Sequence, residues 1–235
     1  MGTAWRSIAR DCAPGMTLAM ANPPEAERCV TGYELRNAPP GAADTFARYL
    51  DLLTKWNRTY NLTAIRERPR MVTHHLQDAL AVLPFLPSRK KLRLLDVGTG
   101  GGIPGIPLAI ARPDWTVVLL DSNQKKITFV TQAAIELALP NVRAVAARVE
   151  DFVSDAPFDV VISRAFSDLR SFAERASPHV APDGVIAAMK GTLPDDEIEA
   201  LAPAFTVIAA PALHVPGLDA NRHLVLMRAM AHGPR

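Results

Sequence analysis

The sequence predicts a doubly wound, largely parallel α/β sheet behind an N-terminal helical region. Three observations carry this reading. From Leu92 onward, short apolar runs of strand length alternate with segments of helical periodicity, the pattern of consecutive βα units. The first run stops at Asp96, and Gly98, Gly100, Gly101, Gly102 and Gly105 follow before an apolar helix opens. The last two runs have no helix between them, which suits an antiparallel pair and makes seven strands with the last antiparallel.

Each element follows in order. Residues 1–41 lack periodicity and collect Pro14, Pro23, Pro24, Pro39, Pro40 and Gly41, so they read as a disordered leader. Arg6 and Arg10 in an acid-poor stretch also fit a transit peptide, and Met16 or Met20 a later start. Residues 42–88 form the helical region. Phe46, Tyr49, Leu50, Leu53 and Trp56 fall at helical spacing, predicting an amphipathic helix over about 42–57. A second helix runs from near Pro69 to about Leu83, where Pro84 and Pro87 break the chain.

Residues 89–235 form the sheet domain. Its strands read "LRLLDV", "TVVLLD", "VRAVAAR", "FDVVISRAF", "GVIAAMK", "FTVIAAPALHV" and "RHLVLMRAM". Its helices read "GIPLAIAR", "QKKITFVTQAAIELAL", "DLRSFAERASPHV" and "PDDEIEALA", the last with Pro194 where a first turn tolerates it. The loop "PGLDANRH" joins the final strands.

The totals exclude several classes. With 235 residues, 49% of them hydrophobic, the chain builds a full core. A formal charge of +2 neither demands nor excludes nucleic acid. No stretch approaches the ~20 apolar residues of a membrane span. The two cysteines, Cys12 and Cys29, form no CxxC and no zinc spacing, which fits a reducing cytoplasm. With no HxxxH either, no metal is expected.

The glycine loop narrows the ligand. A triphosphate loop needs GxxxxGK[ST], and no lysine follows these glycines. A dinucleotide fingerprint fits Gly100, Gly102 and Gly105, but leaves Asp96 and Gly98 ahead of the turn. The other register is Asp96, Gly98, Gly100, Gly102. A carboxylate there repels a pyrophosphate and attracts a ligand bearing an ammonium and a sulfonium. S-adenosylmethionine is such a ligand. Asp121, closing the second strand, suits ribose hydroxyls; both acids also have the plainer reading of caps.

Seven segments, "DVGTGGGIPGIPLAI", "LLDSNQKKITFV", "ARVEDF", "VISRAF", "MKG" and, upstream, "KWNRTYNLTAI" with "HLQDAL", occur in one order that resembles the ribosomal RNA small subunit methyltransferase G family, formerly glucose-inhibited division protein B. The resemblance spans about residues 44–229. It implies the Rossmann-like fold of class I S-adenosylmethionine-dependent methyltransferases. It implies cofactor contacts at Gly98, Ile103, Val149, Glu150 and Arg164, and methylation of one guanine N7 of 16S ribosomal RNA, free or in an assembling small subunit. Two segments depart from the family: Gly101 stands where proline is frequent, and "HLQDA" replaces "HILDS", placing Ala79 at a serine position.

The residues agree with that chemistry. Guanine N7 has a free lone pair, so attack needs alignment and charge tolerance rather than a strong general base. Enzymes acting on exocyclic amines typically carry an Asn- or Asp-Pro-Pro-aromatic tetrad after the fourth strand; this chain has Ser163, Arg164, Ala165 and Phe166. No cysteine lies in the domain to form a covalent adduct. Arg164, at the ligand edge, is the catalytic candidate, able to meet a cofactor carboxylate, a phosphate or a base edge; its plain alternative is a pair with Asp168. Phe166 reads as core before base-stacking.

For RNA, Lys190 and Arg222 lie near the ligand edge, and His75 shares a helix face with Asp78 at a spacing that lets them interact. Three basic clusters are further candidates: Lys55, Arg58, Arg66, Arg68 and Arg70; Arg89, Lys90, Lys91 and Arg93; Lys125 and Lys126. A monomer is expected. Two rival readings remain: a nicotinamide dehydrogenase in the second glycine register, and a cofactor-binding assembly factor without turnover.

Overall fold

The computed structural model describes residues 38–164, 166 and 168–230. The leader, with Cys12 and Cys29, lies almost wholly outside them, as does Ala165. Helix α1 (Ala42–Tyr60) buries Phe46, Tyr49, Leu50 and Leu53 and ends where Asn61 turns left-handed at φ 49°. The second helix departs from the expected single α-helix. It begins as α2 (Arg68–Met71), widens into a π-helical stretch over Val72–Gln77, and closes as α3 (Asp78–Leu80). The wider turn carries Val72, His75, Leu76, Gln77 and Asp78 inward together, more than a regular 3.6-residue turn puts on one face. Leu83–Phe85 is a separate 3-10 turn around Pro84.

The sheet strands are β1 (Arg93–Val97), β2 (Thr116–Asp121), β3 (Val142–Ala146), β4 (Phe158–Ser163), β5 (Val180–Lys190), β6 (Phe205–Ala209) and β7 (His223–Ala229). Between them lie α4 (Gly105–Ala111), α5 (Gln124–Glu136), α6 (Leu169–Ala176) and α7 (Asp195–Glu199). The strand order is β3-β2-β1-β4-β5-β7-β6. Strands β1 to β5 pair in parallel, and β7 runs antiparallel to both β5 and β6. β4 and β6 each stop short of their apolar runs for a visible reason. β4 stops at Ser163, whose hydroxyl donates to the Val97 carbonyl at 2.7 Å. β6 stops at Ala209, ahead of Pro211, which has no N–H for a ladder.

Successive strand residues feed opposite layers. Leu94, Val117, Leu119, Val160 and Ile162 join α1, α4 and α5 in one apolar cluster. Leu95, Val118, Leu120 and Val161 join α6 in the other. This is why the central strands read as unbroken apolar runs. The strand order reverses between β1 and β4, and an α/β sheet opens its crevice at the carboxyl ends of strands meeting at such a point. Among the described residues no helix is long and apolar enough to cross a membrane.

Candidate active site

The glycine loop is tied to β2 and closed on itself. The Gly98 and Thr99 amides donate to the Leu120 carbonyl at 2.8 and 3.0 Å, and the Gly102 and Ile103 amides to the Thr99 carbonyl at 2.9 Å. Gly98, Gly100 and Gly102 have φ of 71°, 59° and 85°, the left-handed region that favours glycine. Gly105 serves a different need. A Cβ there would lie 2.0 Å from Leu119 Cδ2 and 2.8 Å from Asp96 Oδ2, so α4 packs against β2 at a distance only glycine permits.

Asp96 sits between Leu119 of β2 and Ile162 of β4 and is 0% exposed. Its Oδ2 accepts from Thr99 Oγ1 at 2.6 Å and from the Gly105 amide at 2.9 Å. Its Oδ1 is buried with no hydrogen-bond partner among the described residues. Burial raises its pKa to about 6, against the lowering by the Thr99 and Gly105 hydrogen bonds and the Arg164 charge. One oxygen therefore caps the loop, and the other is a buried anionic acceptor without a donor. Asp121 accepts from the Gly100 amide (3.0 Å) and the Asn123 amide (2.8 Å), and Lys126 Nζ stands 3.7 Å away. A carboxylate offers about four acceptor sites, so two amides leave room for further donors.

Beside this loop lies a cleft of about 140 Å³ lined by Gly98, Asp121, Val149, Glu150, Phe166 and Arg175, among others. Asp96, Gly100, Gly102 and Ile103 belong to the strand end and loop next to it. Glu150 pairs with Arg175 at 2.5 Å. Phe166 is half-buried and stacks on Phe172 with centroids 5.0 Å apart, so it is packed on the core and also walls the cleft.

A second cleft, of about 420 Å³, opens over the ends of β4, β5 and β7 under the π-helical stretch. It gathers Arg164, Lys190, Arg222 and His75, all four singled out from sequence. Arg164 Nη1 donates to the His74 carbonyl (2.9 Å) and meets Asp78 Oδ2 (3.3 Å). Its acidic partner is Asp78, not Asp168, whose side chain instead accepts from the Ser171 amide at the start of α6 (2.6 Å). Arg222 Nε donates to Asp78 Oδ1 at 3.1 Å. Lys190 Nζ pairs with Glu197 at 2.9 Å.

The expected His75–Asp78 pair does not form. His75 Nε2 is 2.9 Å from Thr63 Oγ1, because the π-helical turn rotates the two side chains toward different neighbours. Burial and the Arg164 charge lower the His75 pKa to about 4, so its ring is neutral at physiological pH. It is 2% exposed, so it meets a partner only from inside the cleft and not across open surface.

Of the basic clusters, Arg89 pairs with Asp159 and Arg93 with Asp155. They lie at the amino end of β1, on the sheet edge opposite the clefts. Arg68 pairs with Asp51. Tyr49 was legible only as core. Its buried hydroxyl donates to the Gly101 carbonyl at 2.6 Å, and burial raises its pKa so that it stays a donor. Periodicity along α1 gives no sign of this long-range bond.

A family model described as GidB, rRNA small subunit methyltransferase G, matches residues 42–225. The chain belongs to this family. It is 52% identical over 177 residues to the ribosomal RNA small subunit methyltransferase G of Laribacter hongkongensis, covering 75% of this chain and 84% of the relative. It is 53% identical over 180 residues to that of Chromobacterium violaceum, covering 77% and 85%. Solved structures share the fold at low identity. The glycopeptide N-methyltransferase MtfA, complexed with (S)-adenosyl-L-methionine, superposes with a TM-score of 0.57 at 14% identity over 67% of this chain and 88% of that one. TrmN from Thermus thermophilus does so with a TM-score of 0.52 at 19% identity over 68% and 53%. The sheet is thus the class I methyltransferase sheet, and the chain is a methyltransferase of the rRNA small subunit family.

Proposed function

We propose that this chain transfers a methyl group from S-adenosylmethionine to N7 of a guanine in small-subunit ribosomal RNA, acting as a cytoplasmic monomer on 16S RNA or an assembling subunit. The observation that carries the cofactor is the buried Asp96 Oδ1 without a donor, set at the strand switch beside three left-handed glycines. The names borne by relatives about half identical in sequence support the RNA substrate.

When bound, S-adenosylmethionine supplies a methyl group activated by its sulfonium. Asp96 and the loop of Gly98, Gly100, Gly102 and Ile103 hold the cationic amino-acid end. Asp121 takes ribose hydroxyls, and Val149 and Glu150 flank the base of the adenosine. Arg164 touches the second cleft and lies within electrostatic reach of Asp96. On this reading it stands at the boundary between cofactor and nucleophile. Lys190, Arg222 and His75 belong to the substrate side.

Nothing in the second cleft needs to remove a proton, since N7 attacks with a lone pair already free. The chain's part is alignment, exclusion of water, and tolerance of the positive charge that passes to the base. Ser163-Arg164-Ala165-Phe166 in place of a Pro-Pro tetrad fits a ring nitrogen rather than an amine.

Mass mapping of small-subunit RNA from cells with and without the gene tests the reading. One guanine N7 methyl should vanish on deletion and return on complementation; survival of every such methyl refutes it. Calorimetry against NAD separates the dehydrogenase alternative, which requires NAD to bind more tightly than S-adenosylmethionine.

A further inference from the structure

Among the described residues lining the second cleft, Asp78 is the sole carboxylate, and it is 1% exposed. Both its oxygens are committed to arginines from distant parts of the chain: Oδ2 to Arg164 after β4, Oδ1 to Arg222 before β7. A second bond fixes each guanidinium, from Arg164 Nη1 to the His74 carbonyl and from Arg222 Nη1 to the Asn221 carbonyl at 2.8 Å. The two side chains nevertheless stay 32% and 24% exposed on the cleft wall. A guanidinium carries five N–H donors in a rigid fork, so each keeps donors beyond these bonds.

Two like charges drawn to one small wall repel unless an anion lies between them. Asp78 is that anion, and with one negative charge against two positive it leaves a surplus. The surplus suits a monoanion with several acceptor oxygens. It does not suit bidentate recognition of the target guanine across O6 and N7, because that would occupy the lone pair that has to attack.

Resting on the rRNA reading above, we infer that Asp78 is a positioning residue that sets Arg164 and Arg222 as a two-guanidinium clamp for one backbone phosphodiester of the RNA in the second cleft. The π-helical turn is what delivers Asp78 to that point, so the N-terminal region completes the substrate site. The cleft, at about 420 Å³, has room for a nucleotide attached to the held phosphate.

The test compares wild type, Asp78→Asn, Arg222→Gln and the double variant on small ribosomal subunits lacking the methyl group. Each single variant should lower kcat/KM at least about tenfold while the affinity for S-adenosylmethionine stays within about twofold. Because both substitutions disable one clamp, the double variant should be no worse than the poorer single one. In equilibrium binding to the subunit, the slope of log affinity on log salt should shrink by about 0.7 in Arg222→Gln, the loss of one phosphate contact. Additive losses or an unchanged salt slope overturn the clamp. If Asp78→Asn does not fold, the Arg222→Gln slope decides. If wild type binds the subunit with the expected salt slopes but transfers no methyl group, the functional reading fails and the clamp stands.

Discussion

Replacing Asp96 by asparagine should make the protein more stable and a poorer binder of its cofactor. Burial displaces the carboxyl from 3.8 to about 6. At about 1.4 kcal/mol for each tenfold change in proton affinity, keeping it ionised costs the folded state ~3 kcal/mol at neutral pH. Asparagine retains an oxygen that accepts from Thr99 Oγ1 and the Gly105 amide, and removes the charge. Its amide group takes the place of Oδ1, which has no donor, and leaving that amide unpaired returns about 1–2 kcal/mol of the gain. A net stabilisation of about 1–2 kcal/mol is expected in urea denaturation without cofactor at about pH 7.5. The difference from wild type should shrink as pH falls through about 6, because the wild-type carboxyl then protonates in the fold and its cost disappears. In calorimetry the variant should lose about 10–100-fold in affinity for S-adenosylmethionine, the worth of one charge-assisted contact. Destabilisation at neutral pH, or an unchanged cofactor affinity, would show that Asp96 only caps the loop.

His75 works in the opposite sense. Its pKa is lowered to about 4 in the fold from 6.5, so the stability it contributes is present above about 6.5 and is lost as pH falls toward 4; urea midpoints over that range should fall more steeply in Asp96→Asn, where no opposing carboxyl remains. Tyr49→Phe leaves the Gly101 carbonyl without its donor and should cost about 1–3 kcal/mol in chemical denaturation, together with a measurable loss of cofactor affinity; equal stability would make the bond incidental. Gly105→Ala places a Cβ against Leu119 and Asp96 and should destabilise by about 1–3 kcal/mol, read as a lower melting temperature, with wild-type behaviour refuting the close approach of α4 to β2.

The parts legible in the sequence share one property: their signal is local. Asp96 and Asp121 each close an apolar run, so a polar residue at a strand end marks them. Arg164, Lys190 and Arg222 sit beside strand termini, and the carboxyl edge of the parallel sheet with β7 folded back against β5 brings them to one cleft. What escaped depends on contacts far along the chain. Tyr49 shares a helix face with Phe46, Leu50 and Leu53, and its partner lies 52 residues away. Asp78 reads as a helical neighbour of His75 until the π-helical turn separates them, and its arginines are 86 and 144 residues distant. A widened turn leaves no mark in a periodicity of 3.6.

Asp78 and Asp96, the two most deeply buried carboxylates among the described residues, show how the chain divides its charge. Both are nearly sealed from water, and burying a carboxylate without compensation is costly. Asp78 is compensated from within, each oxygen holding an arginine of the same chain, so the arrangement is complete before any substrate arrives. Asp96 is half compensated: two donors meet one oxygen, none meets the other, and its pKa rises accordingly. An internal cation placed on Oδ1 would lower that cost and fill the position a cationic ligand needs. The fold instead carries the penalty in the free state, and the proposed cationic cofactor would relieve it on binding. Under the proposed function, a carboxylate matched by the protein would mark where the substrate clamp is built, and a carboxylate left unmatched would mark where the cofactor is received.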